Sequence, residues 1–386
     1  MTTTTAAAPW AWAALMPDAR DWVASSADPA ARWAVLTGVL DRPDDDPEVR
    51  VARAEMLRHP DTADLLARLD AWDAGAPLSG HHHPAFAPNL LNLLADRGLR
   101  AGDDARVDAV LAAMTGHADD AGRLQSFASR RTGAPPVWGA LLCDSHAIVD
   151  VLLRYGRDPT REPALAGALA AIAADLTDTA QGRAWPCVPE PTSGFRGPGR
   201  RGDACPQVTL EVLRALSRLP DGLFPGGLTR SDALGCARVS LSVWRRRGAE
   251  KPYMFGHGQT FKTSKWPVTW YSAQLALDAL GRWPDLWRGP SAVPADRTAL
   301  AELAACLVAY NTDDAGRVVP RSTFRGYEAH SFGQKREASP FATALLLTVL
   351  HRLDDLAPAA AEVDVSALGS SKGGAGTARP PVRARG

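Results

Sequence analysis

One pattern constrains this chain more than any other. Strongly apolar helical stretches alternate with amphipathic ones, and the alternation recurs along most of the 386 residues. The apolar stretches begin near residues 88, 138, 204, 266 and 338, roughly 50–70 residues apart. Leucine and alanine at helical spacing predict apolar helices over Pro88–Arg97, Trp138–Tyr155, Asp203–Leu219, Trp266–Gly281 and Glu337–Leu353. Amphipathic partners fit Asp104–Thr115, Glu162–Thr177, Ser231–Arg247 and Ala295–Tyr310. Earlier helices fit Pro29–Leu40, Pro47–Arg58 and Thr62–Trp72, and strand signals are nearly absent. A helix apolar on every face has to be covered on every face, so the apolar set belongs in an inner layer and the amphipathic set outside it. The expected fold is all-α: an α/α toroid (barrel) of about five to six helix hairpins, with inner and outer helix rings. An open α-solenoid shares the same periodicity. Stacked hairpins share one core, so a single domain is expected over 26–360. A disordered or partly ordered segment at 1–25 and a disordered tail at 361–386 would flank it.

The connections repeat too. The pentapeptide DDAGR occurs at 119–123 and again at 313–317, and Gln181–Arg183 supplies a related turn. Glycine there suits a turn with positive φ after a helix. The long connections, 116–137, 178–203, 248–265 and 311–337, all precede apolar helices. In an alternating array they gather at one rim, toward which the inner-helix N-termini point; long ordered loops gathered in one place are usually functional.

That rim carries bases, aromatics and a few acid, thiol and imidazole groups. Asp144 and His146 sit in one inner-helix first turn, and Asp203 and Cys205 where the next loop becomes helix. Asp203, Cys205 and Tyr271 are the candidate catalytic residues. Trp185, Arg201, His257, Lys265, Trp270, Lys335 and Arg336 are the candidate substrate-binding residues. Helix N-termini and basic loops above aromatic rings suit an amphipathic ligand with an anionic head and an apolar tail or carbocation. Structural readings stand beside these: Asp203 as an N-cap, Cys205 as a small buried hydrophobe, the lysines as solvated charges, the aromatics as core. His81–His83 reads as an exposed loop, since three adjacent histidines cannot all face one metal. The DDDPE run at 44–48 reads as an acidic turn rather than a diphosphate–magnesium motif.

Composition removes other classes. Formal net charge is zero and the pI is near 7.1, so nothing favours nucleic acid or an anionic membrane surface. Five scattered cysteines without a CxxC pair fit reduced thiols and a cytoplasmic location. No apolar run reaches about 18 residues, and the N-terminus lacks the pattern of a signal peptide. GxGxxG, P-loop and HExxH signatures are missing.

Three stretches, GFRGPGRRGDACPQVTLEVLRAL, PYMFGHGQTFKTSKWPVTWYSAQLALDALGRWP and SFGQKREASPFATALLLTVL, resemble the terpenoid-cyclase/protein-prenyltransferase α/α-toroid superfamily, in its squalene-cyclase-like bacterial branch. The resemblance spans roughly residues 80–355. It implies an enzyme acting on an isoprenoid or other apolar, possibly diphosphate-bearing, substrate in a central cavity. It also implies zinc held by an Asp-x-Cys at an inner-helix start and a histidine on the next inner helix. Asp203-Ala204-Cys205 matches the first part; Trp270-Tyr271 is followed by Ser272 where the histidine is expected, leaving His257 as a substitute from the loop. The DxDD acid of class II cyclases is missing, which makes Asp203 the candidate acid. A non-catalytic toroid binding a lipid, peptide or partner protein is the second reading. A carbohydrate enzyme using paired carboxylates among Asp144, Asp203 and Glu337 is the third.

Overall fold

The computed structural model describes residues 9–73, 75–129, 133–197, 199–200, 202–247, 255–332 and 336–368. Among them the chain is mostly helical. Helices α1 (Arg20–Ala24), α2 (Pro29–Gly38), α3 (Pro47–Arg58) and α4 (Pro60–Ala67) lead into α5 (Ala87–Asp96) and α6 (Ala105–Met114). Then come α7 (Leu142–Arg154), α8 (Pro163–Asp175), α9 (Pro206–Leu216) and α10 (Arg230–Arg245). The short α11 (Gln259–Lys262), α12 (Ala273–Leu280), α13 (Pro294–Asn311), α14 (Pro340–His351) and α15 (Ala357–Ala361) complete the set. Seven of these, α2, α3, α4, α8, α9, α13 and α14, open on proline, whose fixed φ and missing N–H suit the first helical position. Ser272 and Ser339 cap α12 and α14 through their hydroxyls, and Thr229 and Asp232 form a reciprocal capping box on α10.

The five predicted apolar helices are α5, α7, α9, α12 and α14, and they pack on one another in chain order. From Pro206 to Leu213 every residue of α9 is buried, and so is every residue of α7 from Asp144 to Leu152. The amphipathic α8, α10 and α13 lie against α7, α9 and α12 respectively, and α2 packs on α14. One apolar core runs from Trp10 to Leu368. It includes part of the segment expected to be loose at the N-terminus: Trp12 is buried and its indole N–H donates to Leu350 O at 3.2 Å and Asp354 Oδ1 at 2.9 Å. No helix among the described residues is long and apolar enough to cross a membrane.

Four of the apolar helices start later than their periodicity predicts, and for α7, α9 and α12 the preceding residues are spent in short pairings. β2 (Val137–Gly139), paired antiparallel with β1 (Ser126–Ala128), occupies the predicted start of α7. Pro186 and Ala204 form a bridge before α9, beyond the antiparallel β3 (Thr177–Thr179) and β4 (Gly182–Ala184). Parallel β5 (Lys265–Trp266) and β6 (Ser322–Thr323), with a cis Trp266–Pro267 bond, precede α12. The two DDAGR turns are nearly superimposable in their hydrogen bonding. Asp119 Oδ1 accepts from the amides of Ala121 and Arg123, and Asp313 Oδ1 from those of Ala315 and Arg317, all within 2.8–3.0 Å. Gly122 and Gly316 take φ of 84° and 74° in the two copies, as the turn demands.

Candidate functional site

Residues of all five apolar helices line a cavity of about 180 Å³. Its floor is built from charges at their C-terminal ends. Asp150 of α7 accepts from Arg214 at 2.6 Å and Arg218 at 2.9 Å, tying α7 to the end of α9. Arg154 reaches back to Asp96 at the end of α5, 2.6 Å away. Asp278 of α12 holds Arg352 of α14 at 2.7 Å and Arg282 at 3.0 Å, with Arg214 at 3.9 Å. Apart from the i,i+4 pair Asp278–Arg282, each ion pair joins neighbouring helices, in the order α5, α7, α9, α12, α14. Burial opposes ionisation of Asp150 and Asp278, but the surrounding guanidinium groups outweigh it and hold both carboxyls well below the ordinary carboxylate range. Arg282 goes the other way: burial, and crowding by Arg352, Arg218 and Arg214 against the pull of Asp278, push it down to about 10.

At the other end of these helices lies a buried group that brings His81, Cys143, Asp144, Gln207 and Glu211 together. Asn89 of α5 donates to the carbonyls of His81 (2.6 Å) and His83 (3.0 Å), folding the preceding loop over its helix. His81 is thereby buried, correcting the expectation of an exposed histidine loop. Its Nε2 lies 2.8 Å from Glu211 Oε1 and its Nδ1 3.6 Å from Asp144 Oδ1. Neither contact has the direction of a well-formed hydrogen bond. Gln207 Nε2 donates to Glu211 Oε1 at 2.7 Å, one turn along α9, and Ser126 Oγ to Asp144 Oδ2 at 2.6 Å. Burial works against a charged His81, but Glu211 and then Asp144 prevail and raise its pKa. His146, on the same turn of α7, is instead driven down to about 3 by burial, with Arg123 and His81 adding to it. Gln207 and Glu211 also line the cavity, so these two of the group form its upper wall.

Beside it is a small apolar recess of about 20 Å³, room for little more than one water, lined among others by Cys143, Cys187, Cys205, Phe255 and Trp270. The Cys205 thiol donates to Cys187, lowering the pKa of Cys187 and raising that of Cys205. Gly199 approaches Cys187 so closely that a Cβ there would meet its Cβ at 2.4 Å.

The predicted site residues divide accordingly. Cys205 and Trp270 line the recess. Tyr271 is buried against it, stacked edge-on with Phe255, its hydroxyl 2.9 Å from His257 Nε2, and burial raises its pKa. Asp203 is neither N-cap nor cavity acid: Cys205 is the N-cap of α9, and the Asp203 carboxylate accepts from Gln181 Nε2 at 3.0 Å in the loop. Trp185 is fully buried with its indole N–H on Ile172 O of α8, a core role. Lys265 is exposed, its ammonium 3.7 Å above the Phe324 ring, and Arg336 and Glu337 are exposed before α14. Lys262, read as a solvated charge, is buried and donates to Leu368 O. Arg201 and Lys335 lie outside the described residues. In the DDDPE run, Asp46 caps α3 and Asp44 pairs with Arg100 at 2.5 Å, structural roles both.

The zinc implied by resemblance does not fit Asp203 and Cys205. The carboxylate is held by Gln181, the thiol by Cys187, the Ser272 hydroxyl caps α12, and His257 faces Tyr271. Sequence reasoning missed Glu211, Gln207 and the charged floor. Their signal was present as Asp-x-x-x-Arg at 150–154 and 278–282: charges one turn apart on helices otherwise too apolar to tolerate them. No family model matches the chain, and no curated protein matches it.

Proposed function

We propose that this chain is an α/α-toroid enzyme whose central cavity receives the compact anionic head of its substrate. Closure of the ring is supported by one cavity drawing its walls from all five apolar helices, and by Arg97, at the end of α5, lying 5.2 Å over Phe341 of α14. The observation that carries the reading is the charge of that cavity. Five arginines, Arg154, Arg214, Arg218, Arg282 and Arg352, face it, against Asp96, Asp278, Glu211 and the supporting Asp150. Burial chiefly, and then Arg352, Arg218 and Arg214, disfavour the charge of Arg282 despite its pairing with Asp278, and the arginines outnumber the carboxylates that face the cavity. A planar fork of donors suits carboxylate or phosphate oxygens. Glu211, which touches both the cavity and His81, is the residue placed to move a proton at the upper wall. For the isoprenoid substrate that the resemblance implies, a volume of about 180 Å³ with polar walls suits the diphosphate end; the apolar recess is too small for a prenyl tail.

Thermal unfolding in the presence of phosphate, diphosphate, small dicarboxylates and a prenyl diphosphate tests this. A binder at about 100 times its Kd adds about 2.7 kcal/mol to stability. At least one anion should raise Tm in the wild type, and Arg282→Gln should abolish the rise. If diphosphate stabilises as strongly as its prenyl ester, the tail has no place in the site; a prenyl diphosphate that binds far more tightly supports the isoprenoid class. Indifference to every anion sinks the reading.

A further inference from the structure

The geometry points to a divalent metal site, of the zinc class, held by His81 Nδ1, Cys143 Sγ and Asp144 Oδ1 at the N-terminal end of α7. The ligand atoms of these three residues lie within 4.8 Å of one another, on a buried histidine and carboxylate and a half-buried thiol. Two of the separations are those of ligands sharing an ion. Zinc–nitrogen and zinc–oxygen bonds of about 2.0 Å and zinc–sulfur bonds of about 2.3 Å put tetrahedral neighbours about 3.3–3.5 Å apart. Here Nδ1 and Oδ1 are 3.6 Å apart and Sγ and Oδ1 3.7 Å, so these two pairs close on an ion with shifts of a few tenths of an ångström, while the third, from the histidine nitrogen to Sγ, lies within 4.8 Å and has further to move.

The surroundings place a carboxylate within reach of the second nitrogen of His81, although the contact is not aligned as a hydrogen bond in this structure. A ligating imidazole usually passes its second nitrogen to a carboxylate, which fixes the ring and strengthens the ligand. His81 Nε2 lies 2.8 Å from Glu211 Oε1, and Glu211 is itself held by Gln207. The ligating carboxylate is anchored as well, Ser126 Oγ bonding Oδ2 while Oδ1 turns toward Nδ1. Nδ1 of His81 is more than nine-tenths buried and makes no aligned hydrogen bond, which is costly unless something else occupies its lone pair. Mixed sulfur, nitrogen and oxygen donors favour zinc over magnesium or calcium, and three protein ligands leave a fourth position for water or a substrate atom. The donors are not those of the Asp-x-Cys pattern, and the inference does not depend on anion binding in the cavity.

Untagged full-length protein, stripped with a chelator and reloaded with zinc or cobalt(II), decides the matter. The expected result is one tightly held metal per chain, with cobalt giving visible ligand-field bands and a thiolate-to-cobalt charge-transfer band. Cys143→Ser should remove the charge-transfer band, while Cys236→Ala, a buried thiol on α10, should leave it intact. Glu211→Gln should keep the band and weaken affinity about 10–100-fold. His81→Ala should abolish tight binding. A wild-type protein that takes up no cobalt, or a charge-transfer band that survives Cys143→Ser, overturns the site. The wild-type spectrum alone suffices should a variant fail to fold.

Discussion

Replacing Asp150 by asparagine removes one charge and almost no volume, so its effect isolates the ionic floor of the cavity. Asp150 is fully buried and accepts from Arg214 at 2.6 Å and Arg218 at 2.9 Å. Breaking a buried pair from one side typically costs 3–5 kcal/mol, because the surviving charge stays desolvated without compensation. Here both arginine side chains keep 15–17% exposure, and Arg214 also has Asp278 at 3.9 Å, which places the loss near the lower bound, about 3 kcal/mol. With unfolding entropy of about 2.1 cal/mol/K per residue, a chain of this length loses about 4 °C in Tm for that amount. Calorimetry on Asp150→Asn and on Asp150→Asn combined with Arg214→Met checks the reasoning. The double variant should recover at least about 1 kcal/mol relative to additivity, since the stranded guanidinium goes with its partner. The pH dependence follows from the same contacts. Asp150 and Asp278 are depressed below the ordinary value of 3.8, so their stabilisation is complete above it and lost as pH falls toward the folded-state values. A single variant within 1 kcal/mol of wild type, or strict additivity in the double, refutes the claim that this network is energetically coupled.

Three further outcomes are expected. His351, between Asp354 at 2.8 Å and Asp41 at 3.0 Å, has its pKa raised to about 8, chiefly by the bond to Asp354. Its contribution is complete below the ordinary value of 6.5 and disappears as pH rises through about 8, so His351→Gln should flatten the stability–pH curve over that window in urea titrations. Gly316→Ala forces a Cβ to within 2.2 Å of Pro17 O at a φ of 74°, and should cost about 1–3 kcal/mol in chemical denaturation, whereas Gly156→Ala, with no neighbour within 4 Å, should cost less. Arg97 is fully buried, has no aligned hydrogen bond and lies 4.0 Å from Asp61. Arg97→Met should therefore be neutral or raise Tm, and a loss above about 2 kcal/mol would mean its cation–π contact with Phe341 outweighs the desolvation.

The repeating layer of this fold was legible because it rests on local physics. An all-round apolar helix such as α9 cannot be stable on a surface, and the DDAGR turns encode their own hydrogen bonds through Asp119 and Asp313. Helix starts were less legible, since Trp266 and Ala204 satisfy their backbones by pairing with partners 57 and 18 residues away, information no helical window contains. The candidate site was the least legible. His81, Asp144 and Glu211 come from a loop and two helices spread over 131 positions, and only packing of α5, α7 and α9 makes them neighbours. Asp203 stood out because it adjoins a familiar dipeptide pattern, yet its carboxylate is spent on Gln181.

The charged floor has two explanations, and they make different demands on the residues. Cations at helix C-termini are favourable in any fold, each contributing about 0.3–1 kcal/mol through the helix dipole. Arg154, Arg214 and Arg352 sit in or just beyond the last turns of α7, α9 and α14, so part of the floor follows from helix electrostatics alone. That argument calls for one cation per helix end and for carboxylates elsewhere. It does not call for Arg218 beside Arg214, nor for Arg282, whose charge is disfavoured chiefly by burial and further by Arg352, Arg218 and Arg214. Asp278 keeps Arg352 as a partner, so a fold under selection for stability alone would lose little by exchanging Arg282 for a neutral side chain. If Arg282→Gln leaves Tm nearly unchanged while abolishing stabilisation by anions, the arginine is kept for what enters the cavity. If Arg282→Gln instead lowers Tm and leaves the response to anions intact, the floor is a structural clamp and the site of function has to be sought at the upper wall.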